Sequence, residues 1–126
     1  MGANGAVRVR AICLATGAAE TKRFRVRFGG ELVADCTVPA NLTDDQVEIE
    51  VVICSVSSLT IQRANAFYRS ARGLSLTTPV LHTLLNGDVD VSNNVTVTIT
   101  AQLSGTTAGN EASVLYSSAE LLAPGV

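Results

Sequence analysis

Lys22-Arg23-Phe24-Arg25-Val26-Arg27-Phe28-Gly29-Gly30 is the stretch from which the fold is read. Phe24, Val26 and Phe28 fall on one side of an extended chain, and Arg23, Arg25 and Arg27 fall on the other. A period of two marks a strand with one apolar face and one solvated face, here a cationic one. Gly29-Gly30 then provides two residues that tolerate the positive φ of a tight hairpin. The chain therefore returns at once through Glu31 to Val38 as an antiparallel neighbour, and the fold class is all-β.

Working outward, the same reasoning partitions the rest of the chain. Met1 to Ala6 is rich in Gly, Ala and Asn and reads as a flexible arm, 1–6. Val7 to Leu14 is a first strand, closed by Thr16-Gly17-Ala18. Pro39 and the polar run Asn41 to Asp45 end the hairpin strand. Gln46 to Val56 is a long strand whose polar face is Gln46, Glu48 and Glu50; beyond Val52 both faces are apolar, as at a subunit contact. Leu59 to Tyr68 and Val80 to Leu85 are predicted next. Val95 to Leu103 alternates most clearly, with Val95, Val97, Ile99, Ala101 and Leu103 on one face and Thr96, Thr98, Thr100 and Gln102 on the other. Ala112 to Leu122 closes the domain, 7–122, and 123–126 is a tail. Seven or eight strands at this spacing predict an antiparallel β-sandwich, an eight-stranded jelly roll first. An immunoglobulin-like sandwich is second, since the chain has no Trp.

Composition narrows the function classes. Among 126 residues, 47% are hydrophobic and only 16% charged, which points to one domain with apolar surface left for partner subunits. A net charge of −2 offers no global field for nucleic acid or an anionic membrane. No segment approaches the ~18 apolar residues of a membrane span, and no signal-peptide run opens the chain. Cys13, Cys36 and Cys54 lack metal-ligand spacing and suit assembly in a reducing cytosol.

Candidate chemistry is sparse. His82 is the single histidine and lies in a strand-like run, where a hydrogen-bonded structural role is expected. Asp88 to Asn94 starts like a calcium loop, but Asn93 stands where the glycine is needed and Ile99 where the final carboxylate belongs. Asp44-Asp45 reads as a strand cap. Asn41-Leu42-Thr43 and Asn94-Val95-Thr96 match glycosylation sequons, which have no meaning without secretion. Aromatic content of 4% leaves no stacking platform for carbohydrate or single-stranded nucleic acid. The expectation is a non-enzymatic protein with no catalytic, cofactor or metal residues and no small-molecule substrate; a cupin-like metalloenzyme would need several histidines.

Phe24-Arg25-Val26-Arg27-Phe28-Gly29-Gly30 with Leu32-Val33-Ala34-Asp35, the strand Val47 to Val56, and Val95 to Ser104 leading through Gly109-Asn110 to Glu120-Leu121-Leu122 occur in that order. This arrangement resembles the small jelly-roll structural proteins of tailed bacteriophages, which serve as capsid decoration (cement) proteins and as tail-appendage modules. The resemblance covers roughly residues 20 to 122; Leu103 stands where such proteins often carry an aromatic. It implies a homotrimer on the outer capsid surface of the virion, assembled in the bacterial host cytoplasm, with the major capsid protein as partner. The alternative within it is a tail-fibre or baseplate-associated module for host attachment; outside it stands an intracellular sandwich domain with an unidentified protein partner. Candidate partner-interface residues are Arg23, Arg25 and Arg27, a cationic strip, and Tyr68, Arg69 and Arg72, since Arg and Tyr are favoured at interface hot spots.

Overall fold

The computed structural model describes residues 1–40, 44–73 and 75–125. The sequon at 41–43 and most of the polar run after Pro39 lie outside the described residues. Among the described residues, nine strands form two antiparallel sheets, as in a β-sandwich. They are β1 (Ala6–Thr16), β2 (Lys22–Phe28), β3 (Glu31–Val38), β4 (Asp45–Ser55), β5 (Ile61–Ser70), β6 (Thr77–Val80), β7 (His82–Asn86), β8 (Val97–Leu103) and β9 (Glu111–Ala123). Sheet A runs β7-β5-β4-β1-β9 and sheet B runs β6-β3-β2-β8.

The predicted strand Val80 to Leu85 is in fact two strands. The chain leaves sheet B after Val80, passes Leu81 and enters sheet A at His82. Pro39 and Pro79 both fall where no central ladder needs their missing N–H; Pro79 is inside the edge strand β6. The remaining predicted strands are present with ends shifted by a few residues.

Alternation is realised as burial. Phe24, Val26 and Phe28 of β2 face the core, together with Val9, Ala11, Cys13 and Ala15 of β1 and Val47, Ile49, Val51 and Ile53 of β4. Cys13 and Cys36 act as small core residues, and burial pushes both thiols up to about 12. Val52 and Cys54 are half-covered on the outer face of sheet A, beside Arg8 and Ala6 of β1, rather than buried on both faces. Lys22 departs from the solvated strip expected of the basic residues. It shares the inward parity of Phe24, is fully buried at the sandwich end, and donates from Nζ to the Gly17 carbonyl. Desolvation lowers its pKa.

The arm at 1–6 is docked along the body. Ser55 N donates to the Gly5 carbonyl at 2.9 Å, Ser58 N to the Ala3 carbonyl at 3.0 Å, and Gly2 N to the Pro124 carbonyl at 2.6 Å.

Gly29 and Gly30 sit at φ +58° and +87°, so the hairpin is the tight one read from the sequence. Its register then shifts by one residue between Val26 and Arg27. A strict hairpin count pairs Asp35 with Phe24 and turns the carboxylate into the core. The bulge pairs Asp35 with Arg25 and turns it outward.

Gly29 also touches β-sandwich loops that Gly30 does not: an added Cβ would lie 2.9 Å from the methyl carbons of Val89, whereas none meets Gly30. Gly29→Ala is expected to lose more stability than Gly30→Ala, each bearing a left-handed penalty of about 1–2 kcal/mol. Denaturant midpoints of the two variants measure the difference; equal midpoints contradict the packing at Val89.

Candidate functional site

Arg23, Arg25 and Arg27 share the outer face of sheet B, as the alternation of β2 requires. They are not a free cationic strip. Arg23 reaches across to β3 and grips Asp35 with a two-pronged contact, Nε to Oδ1 at 2.9 Å and Nη2 to Oδ2. Arg25 Nε lies 3.8 Å from the same carboxylate, and Arg27 Nη1 donates to the Gly30 carbonyl at 3.3 Å. Asp35 is only 1% exposed, so one of the strip's three positive charges is offset by a buried acid of its own neighbour strand.

Tyr68 also differs from its expected role. Its ring points inward from β5, half-buried, and its hydroxyl accepts from the Asp35 N–H at 2.8 Å while donating to the Val80 carbonyl. Asp35 and Val80 are paired residues of β3 and β6, beside an irregularity in that ladder. The hydroxyl thus fills a gap in sheet B from a strand of sheet A. Burial raises its pKa to about 12.

Because neighbours on a strand face opposite ways, an inward Tyr68 sends Phe67 and Arg69 outward. Phe67 is 59% exposed, the most exposed large hydrophobic side chain among the described residues. Edge strand β7 pairs only with Ile61 to Asn65, so Phe67 stands past its end. Shallow depressions of about 210 and 410 Å³ flank the ring, one lined by Glu48, Glu50 and Arg69, the other by Leu76, Thr78 and Leu81.

An ordered set of charges frames this patch. Glu48 Oε1 accepts from Arg10 Nη2 at 2.5 Å and Oε2 from Arg69 Nη2 at 3.0 Å, while Glu50 lies 3.8 Å from Arg10 Nε. Registered pairing across β1, β4 and β5 puts these groups in adjacent rows. Hydrogen bonding to Arg10 holds the Glu48 carboxyl below its usual range. Arg72 lies in the turn after β5, its Nη1 donating to the Asp44 carbonyl at 2.7 Å and its N–H to Asp45 Oδ1 at 3.1 Å. Of the six predicted residues, Arg69 alone contributes to the outward patch; Phe67, Glu48 and Leu81 were not singled out from sequence. The alternation of β5 could have flagged Phe67, since Ala64 and Ala66 mark the buried parity.

Other candidates resolve into local structure. His82 Nδ1 lies 2.7 Å from Asn65 Oδ1 on the exposed outer face of sheet A. Asp90 accepts from Ser92 N, Ser92 Oγ and Asn93 Nδ2, a self-contained turn whose hydrogen bonds lower its pKa. Asp45 is buried and accepts from Ser70 Oγ and Arg72 N, a cap as expected. No group of three or more His, Cys, Asp or Glu suited to a metal occurs among the described residues. No family model, curated protein or solved structure matches this chain.

Tyr68→Phe is expected to cost about 1–3 kcal/mol, because the Asp35 N–H and the Val80 carbonyl lose a buried partner together; urea unfolding measures it, and a change near zero refutes the bridge. Glu48 gives a pH test. A depressed carboxyl contributes stability above its unfolded pKa, about 4.3, and loses it as pH falls through the folded value. The stability gap between wild type and Glu48→Gln should therefore be widest at neutral pH and close below about pH 4.

Proposed function

We propose that this chain is a non-enzymatic structural protein of a tailed-bacteriophage virion, a decoration (cement) protein that binds the outer capsid surface as a homotrimer. The observation that carries the reading is the Phe67 patch: one protruding aromatic, pre-set by the inward Tyr68 and framed by Arg10, Glu48 and Arg69. An aromatic anchor with an ordered polar surround is the form of a protein-docking hot spot, where a few residues carry most of the affinity. The frame needs little further ordering on binding, which lowers the entropic cost of association.

The finer fold assignment belongs to the same proposal. The pairs β1–β9, β2–β8, β3–β6 and β4–β5 nest as in a long antiparallel ribbon folded on itself, the ribbon from which a jelly roll is rolled. Here the ribbon is closed by β1–β4 and by the β2–β3 hairpin. A cement protein of this kind acts mechanically, bridging capsid subunits with many small interfaces that add around the shell. The major capsid protein is the partner, and no cofactor, nucleic acid, membrane or small-molecule substrate enters the mechanism.

Co-sedimentation with undecorated capsids of the encoding phage tests this reading. Wild type should pellet with the shells, and Phe67→Glu, at a solvent-facing position, should keep its fold and lose at least about tenfold in affinity. Wild-type protein that stays in the supernatant overturns the capsid assignment. Binding to host cells in its place selects the tail-fibre or baseplate alternative.

A further inference from the structure

The two sides of the sandwich are finished differently. On one side the edges are β6 and β7, short strands of four and five residues, one of which carries Pro79. Brevity and proline are the usual devices that keep an edge from recruiting another chain. The opposite side has β8 and the thirteen-residue β9 lying beside one another, with no Lys, Arg or Pro in either strand. Glu111 and Glu120 are the only charged side chains of the two strands, and Glu120 is paired with Arg8 of β1. Long edges with so few charges and no Lys or Pro are left in native proteins where something covers them.

Side-chain burial agrees. Every fully buried core residue of a strand comes from β1 to β5 or β7; none comes from β8 or β9. The apolar faces of Val97 and Ile99 are only half-covered. The register of β9 against β1 shifts at Leu115 and at Leu122, so each is an extra residue without a ladder partner on β1. Both leucines are exposed, as is Leu121 at 56%. A groove of about 280 Å³ opens between Val95, Val97 and Leu121.

We infer that the β8–β9 side is the surface by which copies of this chain associate with one another. Charge decides the occupant. A strip with almost no charged side chains carries no code for a charged foreign partner, and it is complementary to a strip equally free of charge, which a second copy supplies. Size is adequate. At ~3.3 Å per residue β9 spans ~43 Å and the seven-residue β8 ~23 Å, and two sheets ~10 Å apart with their side chains give a strip up to ~20 Å wide where both strands run. That is on the order of the ~800 Å² per partner of a stable interface. The inference deepens the homotrimer of the proposed function and leaves the Phe67 patch, on the outer face of sheet A, free for the capsid.

Light scattering behind a sizing column, run over about a hundredfold dilution series, tests it because association follows mass action. Wild type should exceed the 13.1 kDa of one chain, near threefold for a trimer. Leu115→Lys with Leu121→Lys, both at exposed positions, should fall to the single-chain mass with an unchanged circular dichroism spectrum. Phe67→Glu should stay assembled. A wild-type monomer at every concentration, or a folded double variant that remains assembled, overturns the inference. Should the double variant unfold, hydrogen exchange of wild type decides: β9 amides protected at high concentration and released on dilution support the contact, and exchange independent of concentration refutes it. Assembled protein that ignores capsids sinks the cement reading alone.

Discussion

A carboxylate removed from water must be met by donors, and Asp35 is where this sandwich satisfies that demand. Arg23 grips it across the hairpin, Arg25 stands by, and its own N–H leads through the Tyr68 hydroxyl to the Val80 carbonyl. Tyr68 belongs to sheet A while Asp35 and Val80 belong to sheet B, so this polar chain crosses the core. Three consequences follow. The β2–β3 register is held at its bulge, the short strand β6 is pinned to β3, and Tyr68 is committed inward. The last places Phe67 and Arg69 on the outside, so the geometry of the exposed patch is a by-product of satisfying a buried acid.

The strands were legible because a pleat has a period of two, and β2, β4 and β8 carry that period with few interruptions. The hairpin was legible because Gly29-Gly30 names its turn type. What the pattern does not encode is the partner of each face. Asp35 reads as a surface or a core residue depending on one inserted residue, and the bulge that decides it has no sequence signature of its own. Tyr68 was assigned to an interface for its residue type, yet its parity opposite Phe67 and the gap between β3 and β6 determine where it goes. Lys22 extends the run of basic residues but sits on the parity of Phe24; a run of charge says nothing about parity, and burial followed parity. The sheet switch at Leu81 was hidden for a similar reason: two short apolar stretches in a row look like one strand until their partners are known.

Charge is divided along the chain in a way that matches the division of surfaces. After Asp90 the only charged side chains are Glu111 and Glu120. The ion pairs of the outer face of sheet A draw mainly on β1, β4 and β5, with Arg8–Glu120 as the link to β9. Such exposed pairs contribute little to stability. Their value lies in geometry: Glu48, held between Arg10 and Arg69, fixes the orientation of both cations around the Phe67 ring.

A protein that joins copies of itself and also clamps a larger surface needs two faces that cannot substitute for one another. An apolar strip associates with any similar strip, so if the docking face were equally apolar the protein would polymerise through both. Here the β8–β9 side is nearly without charge, whereas the Phe67 patch is bordered on one flank by paired charges of both signs. Bringing two such patches together would desolvate Arg10, Glu48 and Arg69 without guaranteeing them partners, a penalty that a complementary foreign surface avoids. The ion pairs on that flank therefore act against self-association at the patch, and the blunted edges β6 and β7 do the same for the side nearest to it. In the proposed assembly, self-association is therefore assigned to the β8–β9 side and capsid docking to the Phe67 patch.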